Sequence, residues 1–320
     1  MKINYIHEVD YHNWVLGASH PTQGRRYTNA TALLGAIAAQ HDIDVVTLPG
    51  RVATREELEL VHTGEYIDQV VDQHVSGAWD GANADLASLA TRLYGGTMAA
   101  VELALAGELN TVHLPGAKHH AMASYASGFC VFADFAGAAA ALTQQGKRVA
   151  ILDIDVHHGD GTEALCRNNP DVLTFSVHQG GIFPGTGSVI ESDTASHVYN
   201  RPLKSGDGDA ELLAAVQDFV DACREFQPDV IMIAGGADGH AQDSLASLQY
   251  SVNGFNRAVG FVRRSFESTP IIFGGAGGYR PDDYTPQMWV TAICALAGFD
   301  ASVIDERELE LAQSAITRTT

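Results

Sequence analysis

Lysine is scarce in this chain. Four occur in 320 residues, at positions 2, 118, 147 and 204, and 39 acidic side chains stand against 19 basic ones, a formal charge of −20. Nucleic-acid binders gather basic side chains on one face, and no such patch is evident here. No lysine-rich tail or low-complexity linker marks an appended interaction region. The four cysteines (Cys130, Cys166, Cys223 and Cys294) are far apart and lack Cys-Xaa-Xaa-Cys spacing. They read as reduced core thiols of a cytoplasmic protein. No apolar run approaches the length of a membrane span. The first residues, Met1 to Glu8, read as a strand without the basic region and long apolar core of a signal peptide. The acidic balance suits cationic substrates drawn in at long range, and it equally suits solubility alone.

Hydrophobic residues make up 46% of the chain, enough for a substantial core. Apolar, β-branched runs recur at 2–6, 43–48, 110–114, 149–155, 171–177, 229–235 and 269–274. In 211–226, Leu212, Leu213, Val216, Phe219, Val220, Cys223 and Phe226 follow the three-and-four spacing of one helical face. Similar patterns predict helices at 27–40, 88–107, 134–145, 249–267 and 285–298, and an amphipathic C-terminal helix at 303–318. Strands alternating with helices predict an α/β fold with a parallel sheet covered on both faces. Residues 178–209 have little periodicity and read as a long functional loop, an active-site wall; 75–87 is a second such loop.

Four segments carry chemistry. Val149 to Ile154 is an apolar strand that runs into Asp155, His157, His158 and Asp160. Strand alternation puts Asp153, Asp155 and His157 on one side. Two carboxylates and an imidazole crowded at the end of a buried strand repel one another unless they share a cation or proton, and this is a zinc-type ligand set. The other three segments are the loop 114–121 with tandem His119 and His120, the strand 233–236 that ends in Asp238, and Gly277-Gly278-Tyr279 after another strand. Each alone is weak. All four lie where strands run out, which is where sites collect in an open parallel sheet. Because 114 to 279 must meet in one place, residues 1–320 are expected to form one domain.

Taken in order, these segments resemble the zinc-dependent histone deacetylase family in the broad sense, which includes acetylpolyamine amidohydrolases and bacterial acetoin-utilisation proteins. The matching residues are His119-His120-Ala121, Ser127-Gly128-Phe129-Cys130, Asp153 through Thr162, Ser176-Val177-His178, Phe183 through Gly187, Asn200 through Leu203, Ala237-Asp238 and Gly277-Gly278-Tyr279. His20-Pro21 and Val61 through Ile67 fit as well. The resemblance implies the single-domain arginase–deacetylase fold, a central mostly parallel sheet with helices on both faces.

It also implies roles. Asp155, His157 and Asp238 would hold Zn2+, with Fe2+ or Co2+ able to substitute in so carboxylate-rich a site. His119 and His120 would be the acid–base pair, oriented by Asp153 and Asp160 respectively, with His120 as base and His119 acting electrostatically. Tyr279 would donate to the substrate carbonyl. Gly128, Phe129 and Phe183 would line a substrate tunnel for an acetyl-lysine or acetylpolyamine chain. A structural K+ is implied at Asp153, Asp155, His157, Ser176 and Val177, by backbone carbonyls or side chain. The expected partner is an acetylated amine, with no nucleic acid and no membrane; a homo-oligomer is left open. Neither Asp80 nor Asp85 in the 75–87 loop can be assigned as a rim carboxylate.

Two departures stand out. Lys118 precedes the histidines, where many relatives carry a small or apolar residue; a solvated side chain is the expectation, and the alternative is a cation that lowers the neighbouring imidazole pKa or contacts the pocket floor. Phe132-Ala133-Asp134-Phe135 replaces the family's more usual Phe-Asn-Asn, a change expected in packing rather than chemistry. Two rival readings are weaker. An arginase-like ureohydrolase needs second-metal ligands where Gly159 and His240 stand. A non-catalytic acyl-binding module would have lost the tyrosine, a histidine or a metal ligand.

Overall fold

The computed structural model describes residues 1–193 and 195–317. Its strands are β1 (Ile3–Ile6), β2 (Val45–Leu48), β3 (Asn110–His113), β4 (Val149–Asp153), β5 (Val172–Gln179), β6 (Glu191–Asp193), β7 (Val198–Leu203), β8 (Val230–Ala234) and β9 (Ile271–Gly274). They form one sheet in the order β2-β1-β3-β9-β8-β4-β5-β7-β6. Every pairing is parallel except β6 with β7. β3, β4, β5, β8 and β9 are buried throughout. That is why they read as continuous apolar runs rather than alternating ones.

The helices are α1 (Arg25–His41), α2 (Arg55–Leu58), α3 (Gly64–Val71), α4 (Ala84–Leu105), α5 (Asp134–Gln144), α6 (Asp160–Cys166), α7 (Asp209–Phe226), α8 (Val252–Ser265), α9 (Tyr284–Leu296) and α10 (Glu306–Thr317). They pack as two groups. α7, α8, α9, α1 and α10 contact one another in series, and α3, α4, α5 and α6 do likewise. The seven expected strands and seven expected helices are all present with small shifts at their ends. The C-terminal helix was expected to reach 318, which lies outside the described residues.

Two expectations need correction. Residues 178–209 are not one loop: β6 and β7 lie inside them and complete the sheet edge. The short run Val198–Leu203 contains a proline and half-exposed residues, so it lacks the apolar signature of an inner strand. The 75–87 loop is shorter than expected because Asn83 caps α4, its side chain accepting from Leu86 N. The short helices α2, α3 and α6 carry too few turns for a periodic signal. α2 is instead set by a capping box, with Thr54 and Glu57 exchanging side-chain and backbone hydrogen bonds.

One buried residue ties the sheet to a helix layer next to the site. Trp289 on α9 donates its indole N–H to Gly275 O (2.9 Å) and Gly235 O (3.2 Å), the residues just beyond β9 and β8. Its ring stacks on Tyr27 of α1, with centroids 5.7 Å apart and planes 6° from parallel. Trp289→Ala is expected to cost about 3–5 kcal/mol of unfolding free energy. Urea denaturation checks this; a loss under about 1 kcal/mol would mean the strand ends are held without it.

Candidate active site

The four chemistry-bearing segments follow β3, β4, β8 and β9, and these four strands are adjacent in the sheet, in the order β3-β9-β8-β4. Segments far apart in sequence therefore leave one edge side by side. The loop after β5 adds Phe183, which faces the same cavity. Parallel pairing makes this convergence automatic, because every strand delivers its following loop to the same edge.

Asp155, His157 and Asp238 are buried, and one ligand atom from each lies within 4.8 Å of the others. His157 Nδ1 is 3.1 Å from Asp155 Oδ1 and 3.2 Å from Asp238 Oδ2. The opposite oxygens are occupied by backbone: Asp238 Oδ1 accepts from Val156 N at 3.0 Å, and Asp155 Oδ2 from Gly277 N at 2.7 Å. Asp238 Oδ2 has no aligned hydrogen bond although it is buried. A buried, unpartnered carboxylate oxygen beside two other oxygen and nitrogen donors fits a divalent metal. Gly277 is required here: a Cβ would lie 2.1 Å from Asp238 Oδ2 and 2.6 Å from Asp155 Oδ2. Strand alternation does not explain the grouping, as β4 ends at Asp153. Beyond it the chain turns, with Asp155 Oδ1 accepting from His157 N at 2.9 Å.

The tandem histidines each meet their own carboxylate. His119 Nδ1 is 2.7 Å from Asp153 Oδ2, and His120 Nδ1 is 2.7 Å from Asp160 Oδ1, the first residue of α6. Their surroundings drive them apart. Burial pushes His119 down, but Asp153 and Asp155 more than reverse this and hold it at about 9. Burial and the neighbouring His119 charge outweigh Asp160 and leave His120 at about 4. One imidazole is thus held protonated and the other neutral around pH 7, the division an acid–base pair requires.

The tyrosine and the slot complete the arrangement. Burial, then Asp238 and Asp155, push the Tyr279 phenol well above its ordinary range, so it stays a hydrogen-bond donor. A cavity of about 380 Å³ is lined by His120, Gly128, Phe129, His157, Phe183, Leu245 and Tyr279. The Phe183 ring lies 5.0 Å from that of His120, and the Phe129 ring 6.1 Å from that of Tyr279. Gly128 has φ 52°, and a Cβ there would fall 2.3 Å from His120 Cδ2. Only glycine lets the wall pass so close to the ring. Of the residues tied to potassium, Asp153 and Ser176 sit opposite each other on β4 and β5. They share a small cavity of about 10 Å³ that Asp155, His157 and Val177 do not line.

Several residues here have placements the sequence did not show. Lys118 is buried, not solvated. Asp134 does more than pack: its carboxylate accepts from Ala117 N (2.9 Å) and Lys118 N (2.6 Å), fixing the loop that carries the histidines. Asp243 accepts from Tyr279 N at 2.8 Å, and His20 packs against Phe129 at 4.4 Å. Asp134 was noted only as a packing change, and the ordinary context of Asp243 gave no signal. Asp85 lines a separate hollow with Asp10, Asn13 and Arg92.

The triad has a titration consequence. Burial lowers His157, yet Asp155 and Asp238 raise it to about 11, and burial with Asp155 raises Asp238 well above the usual carboxylate range. A bound dication takes over the role of those protons and displaces them. At about pH 9, metal loading is expected to release about one proton, from His157. Release should grow as the pH falls further and the raised Asp238 also takes up a proton, and apparent affinity should fall in step. Calorimetry in buffers of different ionisation enthalpy measures this; pH-independent binding would contradict the ligand set.

Comparison with known proteins agrees with this geometry. The histone deacetylase domain matches residues 20–296. The acetoin utilization protein AcuC of Bacillus subtilis (strain 168) is 32% identical, over 92% of this chain and 82% of its own length. AcuC of Staphylococcus aureus (strain MSSA476) is 31% identical over 75% and 68%. A probable deacetylase of Archaeoglobus fulgidus is 31% identical over 96% and 90%. The nine-stranded, mostly parallel sheet with its two helix layers accords with the arginase–deacetylase fold. The family match takes in every segment of the site, and this chain belongs to the histone deacetylase family.

Proposed function

We propose that residues 1–320 act as one metal-dependent amide hydrolase that removes acetyl or short acyl groups from a linear acylated amine, such as acetyl-lysine or an acetylpolyamine. The observation that carries this reading is the pair of histidines, each on its own carboxylate and held in opposite protonation states, beside a three-ligand metal triad at the base of an apolar slot. Zinc, or ferrous iron or cobalt in its place, held by Asp155, His157 and Asp238, would supply Lewis acidity to water and to the acyl carbonyl.

The chain's own residues then do the following. Phe129 and Phe183 clasp the methylene chain and exclude branching. His120 is neutral, so it accepts a proton from the water that attacks the acyl carbon. It returns that proton to the amine nitrogen as the C–N bond breaks, leaving a free amine and a carboxylic acid, which gives its remaining proton to solvent or to the released amine. His119 keeps its proton and stabilises developing negative charge. Tyr279 donates its O–H to the carbonyl oxygen as charge builds there. A structural potassium at Asp153, Asp155, His157, Ser176 and Val177 is part of the proposal, supported by the Asp153–Ser176 juxtaposition. A cytoplasmic setting is proposed from the four free, buried cysteines. No helix among the described residues is long and apolar enough to cross a membrane.

Tyr279→Phe is expected to lower kcat by about 10²–10³-fold, the typical loss of one oxyanion donor. His120→Ala should also lose turnover. Both should keep their metal and bind a hydroxamate on a linear aliphatic linker. Metal analysis and inhibitor titration separate these effects; near-normal turnover by Tyr279→Phe would remove the tyrosine from the mechanism.

The substrate class is tested by turnover of an acetyl-lysine peptide, acetylputrescine, acetylcadaverine and acetylspermidine, each at low and high ionic strength. Linear acylated amines should be cleaved, and the preference for cationic ones should shrink as salt screens the net charge of −20. Cleavage of a small neutral amide alone would overturn both the slot and the charge arguments.

A further inference from the structure

Tyr279 follows Gly275, Ala276, Gly277 and Gly278, and within that run Ala276 has φ 49° and Gly278 φ 140°. Glycine leaves the torsions just before the tyrosine nearly free. The local backbone therefore does not choose where the phenol points. The peptide that joins Gly278 to Tyr279 is held from both ends instead. Arg26 of α1 donates Nη1–H to Gly278 O at 2.9 Å, and Tyr279 N–H donates to Asp243 Oδ2 at 2.8 Å. Hydrogen bonds to charged groups are the strong kind, and a grip on both poles of one peptide plane fixes its rotation.

Asp243 lies in the loop between β8 and α8, and its other oxygen serves that loop. Oδ1 accepts from Leu245 N at 3.1 Å, closing a turn in which the side chain stands in for a backbone carbonyl. Leu245 lines the slot together with Phe129, Phe183 and Tyr279. A second tie joins the same two loops, as Arg280 donates Nη1–H to Gln242 O at 3.2 Å. Asp243 itself belongs neither to the slot lining nor to the triad, so it reaches the reaction only through what it holds.

We infer that Asp243 is a positioning residue. One of its oxygens orients the Gly278–Tyr279 peptide and the other shapes the Leu245 turn, so the donor phenol and the slot wall keep one register. The inference rests on the hydrolase reading above, in which Tyr279 donates to the acyl oxygen. The two contacts require a carboxylate. An asparagine has one acceptor oxygen and would set its NH2 against one of the two N–H groups. A serine hydroxyl can close the turn to Leu245 N but has no second oxygen for Tyr279 N.

The test is a double-mutant cycle. kcat and KM are measured for wild type, Asp243→Asn, Asp243→Ser, Tyr279→Phe and the Asp243→Ser/Tyr279→Phe double variant. Metal content and Tm establish that each is loaded and folded, and either Asp243 variant suffices if the other fails to fold. Both are expected to lower kcat by about 10–10²-fold, the scale of a misplacement near 1 Å, and by no more than Tyr279→Phe does. Asp243→Ser should keep KM within about twofold, because the turn that holds Leu245 survives. In the Tyr279→Phe background, Asp243→Ser should change kcat by less than about twofold, because no donor is left to misplace. Losses that multiply in the double variant would show that Asp243 acts independently of Tyr279 and would overturn the inference alone. An unchanged kcat in folded, metal-loaded Asp243→Ser would do the same. A wild type that turns over no acylated amine would overturn the hydrolase reading, and the inference with it.

Discussion

Asp155 and Asp238 are buried against each other at the carboxyl ends of β4 and β8, and no arginine or lysine among the described residues is ion-paired to either. Two like charges in so dry a place repel strongly and lack solvation. Among the described residues their only close cationic partners are imidazoles, which is why His157 and His119 are held far above their ordinary range. The rest of the site follows from this constraint. A divalent cation is the species that relieves it most completely, and the carboxylates are already aimed by backbone N–H groups of Val156 and Gly277.

The scaffold around the triad works to keep that geometry fixed. Asp134 ties down the turn before the histidines, Thr162 N donates to His119 O at 3.0 Å, and Trp289 bonds the backbone beyond β8 and β9 to α9. These contacts come from three different elements, so the tandem histidines are positioned by the fold as a whole rather than by their own loop. Side chains that share one site are held in register by such cross-bracing.

The two histidines show how adjacent side chains come to sit in different electrostatic surroundings. They are adjacent, both are buried, and both have a carboxylate at 2.7 Å. The difference is that His119 also lies 3.7 Å from Asp155, whereas His120 faces the charge that His119 carries. On the far side of His119, Arg26 and Lys118 are both buried and line one small cavity with it. An acidic triad and two buried cations thus flank one imidazole.

The strands of the inner sheet were legible in the sequence, because burial on both faces demands unbroken apolar runs. So were Asp155, His157, Asp238, His119, His120 and Tyr279 as a group, because charged or glycine-rich segments directly after such runs contribute little to packing and stand where a site would form. The edge strands β6 and β7 were hidden, since half-exposed strands need no apolar run. Only the tertiary structure decided that β3, β9, β8 and β4 are neighbours, which puts the four segments in one place. It alone buried Lys118 beside Arg26, and it alone turned Asp134 and Asp243 onto the backbone of the site. Local pattern records whether a residue must be buried. Which residues are buried together depends on the order of strands in the sheet, and no single stretch of sequence encodes that.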